Sequence, residues 1–96
     1  MKKQIKECLW LPDIVEKLAR KHGVVPEEVE AVFLNNPKIF FWEKGEKPGE
    51  DLYHALGRTD DGRYLAIFYI LKIGGEALII SARDMDRKDK NRYEKK

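Results

Sequence analysis

A single cysteine, Cys8, stands in the 96 residues, so no internal disulfide can form. With no second cysteine and no histidine near it in sequence, neither a metal site nor a thiol nucleophile is expected there. The N-terminus lacks the apolar run and small-residue cleavage site of a secretion signal, which makes the cytoplasm the expected location. The longest apolar run, Tyr64 to Ile73, holds Lys72 and falls far short of the roughly 20 residues a helix needs to span a bilayer. No membrane partner is therefore expected. The glycines at 45, 49, 62, 74 and 75 do not space into a nucleotide-binding fingerprint, and no cofactor is expected. Net charge is also scarce, at +2, so any affinity for nucleic acid must come from local clustering.

What the chain does have is 43% hydrophobic and 38% charged residues. That supports one core under a highly solvated surface, and a single domain over residues 1–96, since the length leaves too little to fill a second core. The charge is clustered at both ends. Lys2, Lys3 and Lys6 stand at the start, and the segment Arg83 to Lys96 carries seven basic residues against four acidic ones. Glutamates 27, 28, 30, 43, 46 and 50 supply the balancing acidity between them.

Leu11, Ile14, Val15 and Leu18 fall at helical spacing behind Pro12, which a first turn tolerates. His22-Gly23 is the expected stop, with glycine in the left-handed position and basic residues against the negative end of the dipole. Pro26-Glu27-Glu28 opens a second helix with a stripe of Val29, Val32 and Phe33, although Val25 offers no side-chain oxygen as a cap. Asn35-Asn36-Pro37 ends it. Four strands follow: Lys38 to Trp42, about Asp51 to Thr59, Arg63 to Ile70 as a central strand, and Ala77 to Ala82. Turns at Thr59-Asp60-Asp61-Gly62 and Gly74-Gly75 join them. Asp86-Arg87-Lys88-Asp89 resembles a capping box opening a last helix to about Glu94. The predicted fold class is α+β: two N-terminal helices on one face of a four-stranded antiparallel meander, with the other face left to the C-terminal helix or a partner.

Ile79-Ile80-Ser81-Ala82-Arg83 leads directly into Arg87-Lys88 and then Arg92-Tyr93, placing an arginine at a strand end beside a basic helix start. Guanidinium forks and helix N-termini both favour an anion, so this is a candidate phosphate cradle. A terminal helix of this charge can equally be a solvated surface. His22, at a helix C-terminus, reads as a dipole-stabilised cap. The aromatic strand residues Phe40, Phe41 and Trp42 are of a type that can stack on bases, yet in so small a domain they are expected in the core.

With Lys21-His22-Gly23-Val24 upstream and Gly57-Arg58-Thr59 between, these segments resemble the BrnT-type toxins, RelE-like ribonucleases of bacterial toxin–antitoxin pairs. The resemblance runs from about Pro12 to Tyr93. Two departures mark this chain: Leu11-Pro12 separates Trp10 from Asp13, where the family usually has Trp-Asp together, and Leu52 stands two residues after Glu50, where many members carry an arginine. The resemblance implies a RelE-like fold, ribonuclease activity without metal, and a cognate antitoxin that blocks the toxin and binds DNA.

Metal-free RNA cleavage needs a group to take the 2′-OH proton, one to protonate the leaving 5′-oxygen, and cations to stabilise the phosphorane. The candidate catalytic residues are His54 or Glu50 for the protons and Arg58 and Arg83 for the charge. By strand alternation His54 shares a face with Leu52, Leu56 and Arg58. Arg63, Arg87, Lys88, Arg92 and Tyr93 are the candidate RNA-binding residues. Two other readings stand beside this one: a catalytically silent protein that keeps the fold to bind a partner, and a non-catalytic RNA-binding module. Apolar sheet edges also invite pairing with a further copy of the chain, so a homo-oligomer is a candidate partner state.

Overall fold

The computed structural model describes residues 5–95; Lys2, Lys3 and Lys96 lie outside them. The chain order is β1 (Cys8–Leu9), α1 (Pro12–His22), α2 (Pro26–Leu34), β2 (Lys38–Glu43), β3 (Leu52–Arg58), β4 (Tyr64–Leu71), β5 (Ala77–Asp84) and α3 (Arg87–Glu94).

Local chemistry sets the helix ends where the sequence signals them. Pro12 and Pro26 each sit in a first turn, where the missing N–H costs nothing. Gly23 follows α1 at φ 62° with its N–H bonded back to Ala19, a conformation that a side chain would strain. Val25 indeed supplies no side-chain cap, and the Glu28 carboxylate instead reaches back to the Val25 N–H at 3.2 Å. At α3, Asp86 Oδ1 accepts from the Asp89 N–H at 2.8 Å while Asp89 Oδ2 accepts from the Asp86 N–H at 3.1 Å, a complete reciprocal capping box.

The sheet differs from the expected one. It has five strands, not four, in the order β1-β5-β4-β3-β2. The four predicted strands form the antiparallel meander, and the two-residue β1 adds to its β5 edge in parallel, making the sheet mixed. So short a strand has no periodicity of its own; it exists because the β5 edge offers free backbone groups.

Strand alternation divides the sheet into two faces. One carries Tyr53, Ala55, Leu65, Ile67, Tyr69, Ala77, Ile79 and Ala82, packed against Leu18 and Val24 from the α1 region and Val29 and Val32 from α2. This is the main core, and Gly57 is where α2 comes closest. A Cβ there would stand 2.8 Å from Val32 Cγ1 and 3.2 Å from Pro37 Cβ. The other face holds a smaller cluster, Leu56, Ala66 and Met85 with Phe40, Tyr64 and Tyr93, beneath α3.

Two bulges adjust the faces. The β4–β5 register pairs Phe68 with Ser81 but Tyr69 with Ile79, leaving Ile80 as an extra residue. Ile79 therefore faces the core while Arg83, also an odd-numbered residue, is turned onto the α3 face. A second bulge lies between Phe41 and Glu43 in β2. Phe41 and Trp42 are 57% and 50% exposed, so two of the three strand aromatics expected in the core stand at the surface, because β2 is the outer strand of the sheet and no strand lies beyond it.

Candidate active site

A row of rings crosses the α3 face at the middle of the sheet. Phe40, His54 and Phe68 are register partners on β2, β3 and β4. The His54 imidazole stacks flat on Phe68, with centroids 4.4 Å apart and planes 4° from parallel. Phe40 tilts against its other side at 6.4 Å. Trp42 stands edge-on to both His54 and Phe68, at 5.3 Å from each, and is the most exposed ring of the group.

His54 is 2% exposed, and neither Nδ1 nor Nε2 has a hydrogen-bond partner among the described residues. Burial drives its pKa below the ordinary histidine value; Asp89 opposes this, Arg92 and Arg83 add to it, and Asp86 opposes it. The imidazole is thus held neutral, with a basic nitrogen kept free of any donor.

Above this row runs α3. Asp89, 5% exposed, places Oδ1 3.9 Å from His54 Nε2 and accepts a 2.6 Å bond from Arg83 Nη1 on Oδ2. Burial would raise the Asp89 pKa, but the Asp86 N–H and the Arg83 guanidinium outweigh it and leave the carboxyl below its usual range. Arg83 also donates to the Asp84 carbonyl and lies 5.8 Å above the Phe68 ring. Arg92 sits 4.0 Å over Phe40. His54 and Arg83 are therefore gathered around one buried carboxylate, with Arg92 nearby on the Phe40 ring.

The other expected site residues lie elsewhere. Glu50 is exposed in the loop leading into β3. Arg58 shares the α3 face with Arg83, but β4 separates their strands and the register sets them two rows apart. Sheet geometry then puts their Cα atoms about 12 Å from each other. Arg58 instead sits 5.6 Å over the Tyr64 ring, and Tyr64 first, then Tyr93, hold its pKa above the ordinary arginine value. Tyr93 packs edge-on to Tyr64 at 5.8 Å. Arg87 and Lys88 are exposed on the first turn of α3.

Arg63 turns inward. Its Nε and Nη2 donate to Asp84 at 2.7 and 3.2 Å, Nη1 to Glu28 and the Gly23 carbonyl, and Nη2 to the His22 carbonyl. One guanidinium thereby ties the end of α1, the start of α2 and the end of β5 together, and Asp84 above all holds it charged. The Lys21-His22-Gly23-Val24 segment supplies two of its acceptors and, through fully buried Val24, a core residue.

Asp89 is the residue that sequence reasoning missed. Its signal was present, but as a capping residue, and a cap gives no hint that its carboxylate also serves Arg83 and His54. Trp42 was read as core. Cys8 is inert here: burial first, then Glu30 and Glu7, push its thiol up to about 11, far from a reactive thiolate.

No helix among the described residues is long and apolar enough to cross a membrane. No curated protein matches the chain in sequence. The family model of the ribonuclease toxin BrnT of type II toxin–antitoxin systems matches residues 10–89, a span that runs from just after β1 through β2–β5, Arg83 and Asp89. On that match the chain belongs to the BrnT family of ribonuclease toxins, whose type II systems pair each toxin with an antitoxin.

Proposed function

We propose that the chain is a metal-independent endoribonuclease of a toxin–antitoxin pair, cleaving RNA by attack of a 2′-OH on the neighbouring phosphate. In this reading Arg83 stabilises the charge that develops on the phosphorane, and Arg92 supplies a second cation on the same face. His54, or Glu50 from the adjoining loop, takes up the 2′-OH proton and returns a proton to the 5′-oxygen as its bond to phosphorus breaks, leaving a 2′,3′-cyclic phosphate, and Arg87 and Lys88 hold backbone phosphates. The observation that carries it is the convergence of Arg83, Asp89 and His54 on one sheet face, within a family of ribonuclease toxins. A neutral histidine with both nitrogens free of hydrogen bonds is in the state a general base requires. Its path to substrate runs past Trp42, the outermost ring around it.

One observation favours a second reading, a silent protein that keeps the fold to bind its antitoxin. Arg83 is already neutralised by Asp89 at 2.6 Å, and His54 is nearly sealed.

The deciding experiment incubates the purified protein with a long single-stranded RNA in the presence of EDTA, beside Arg83→Ala and Arg83→Lys variants whose melting is checked first. Cleavage by the parent, lost in Arg83→Ala, is the expected result. A folded parent that leaves the RNA intact transfers the weight to the binding reading.

A further inference from the structure

A second group of cations lies on the other flank of α3, towards the turn end of the sheet. Arg58 Cζ and Lys90 Nζ each lie 5.6 Å from the centroid of Tyr64, and Lys38 Nζ lies 5.8 Å from that of Tyr93. The two tyrosines pack on each other, so three cations from β3, α3 and β2 share one pedestal of two rings. Among the described residues none of the three makes an ion pair. Nearby carboxylates are engaged elsewhere: Asp84 holds Arg63, and Asp60 accepts from the Asn35 amide at 3.0 Å. Glu94 lies four residues beyond Lys90 on α3 without pairing to it.

Lys38 donates to the Lys95 carbonyl and Lys90 acts on Asp84 only at longer range, so three like charges stand together with no carboxylate in contact; their mutual repulsion costs free energy, and a bound anion reverses the sign of that term. Aromatic rings interleaved with arginine and lysine are the surface that single-stranded nucleic acid takes, phosphates on the cations and bases against the rings. The patch shares a sheet face with Arg83, but with the Cα atoms of Arg58 and Arg83 about 12 Å apart the Arg58 guanidinium is held over Tyr64 and that of Arg83 on Asp89, so the two do not converge.

We propose that Lys38, Arg58 and Lys90, around the Tyr64–Tyr93 pair, form a second anion subsite that binds a backbone phosphate of the RNA strand away from the Arg83 centre. The proposal rests on the ribonuclease reading. It moves Arg58 from transition-state stabilisation to strand binding and adds Lys38 and Lys90, which the sequence did not single out.

The test uses the full chain and an uncleavable 2′-O-methyl single-stranded oligonucleotide, with affinity measured against salt by fluorescence anisotropy. The triple variant Lys38→Gln, Arg58→Gln, Lys90→Gln is compared with the parent and with each single variant, after thermal melts establish folding. Each lost phosphate contact should flatten the slope of log affinity on log salt by about 0.7. The triple variant, which gives up the one phosphate held there, should therefore lose about 0.7 from the slope, and at least roughly tenfold in affinity at low salt. In the cleavage assay its KM should rise more than its kcat falls. An unchanged slope and affinity overturn the subsite, whatever Arg83→Ala does to cleavage. A parent that cleaves RNA but does not bind the uncleavable strand overturns it too, while leaving the ribonuclease reading intact. Unchanged oligonucleotide binding with lost affinity for a polyglutamate peptide assigns the patch to an acidic protein and overturns the RNA subsite.

Discussion

Asp89 accepts a 2.6 Å hydrogen bond from Arg83 while itself 5% exposed, so the shortest ion pair between α3 and β5 among the described residues passes through a buried carboxylate that also faces His54. Removing its charge tests both relationships at once. Asp89→Asn should lower stability by about 1–3 kcal/mol, the range for breaking a buried charged hydrogen bond while a weaker cap persists. It should also drive the His54 pKa further down, because the carboxylate that most opposes the effect of burial is gone. A chemical melt and an NMR titration of the imidazole measure the two; an unchanged or raised histidine pKa would contradict the arrangement.

The pH dependence of folding follows from the same histidine. Its folded pKa lies below the ordinary value near 6.5, so below that pH the unfolded chain takes up a proton that the native state refuses. Stability should be fully present above about pH 6.5 and fall as pH drops through the window beneath it, at up to about 1.4 kcal/mol per pH unit for one proton. Asp84 and Asp89, with lowered pKa values, contribute their loss only in the more acidic carboxylate range. Denaturation midpoints between pH 7.5 and 5 should therefore slope in the parent and flatten in His54→Phe. Parallel curves would show that some other group titrates.

Arg63 uses Nε, Nη1 and Nη2 all inward, which makes it a tie between elements whatever its sequence neighbours suggest. Arg63→Ala should cost about 2–4 kcal/mol, since two carboxylates and two carbonyls lose their shared partner. Arg63→Lys should recover little of it, because one ammonium cannot reproduce a planar fork. Folded protein of either variant should bind single-stranded RNA with the parent's salt slope; a flatter slope would place Arg63 at the RNA after all.

Gly57→Ala puts a methyl group 2.8 Å from Val32 Cγ1, at the closest approach of α2 to the sheet. Overpacking of this kind costs about 1–3 kcal/mol. Val32→Ala alone removes buried volume and also destabilises, but in the double variant the smaller side chain makes room for the new methyl. The pair should couple favourably by more than about 0.5 kcal/mol in a double-mutant cycle. Additive losses would mean that the strand shifts instead.

Much of the fold was legible because its signals are local. Pro12, Gly23, Pro26 and the Asp86–Asp89 box act within one turn of chain, and all of them bound the helices where expected. The meander was legible for a similar reason, since its turns lie between consecutive apolar runs. β1 was not, because two residues carry no period and pair only once β5 presents an edge. The exposure of Phe41 and Trp42 was also hidden: hydrophobicity names a preference for burial, and strand order decides whether anything is there to do the burying.

The candidate site divides along the same line. The sequence by itself determined that a histidine strand, an arginine strand end and a basic capped helix would follow one another, since composition and local periodicity suffice for that. Which face Arg83 takes was decided by the bulge at Ile80, a change of parity that unbroken alternation from Ile79 would have sent into the core. Arg63 became a tie, Asp89 a buried bridge and Lys38 a neighbour of Tyr93 only through contacts between residues far apart in the chain. Charge and hydrogen-bonding capacity belong to the residue, but the partner that uses them is chosen by packing.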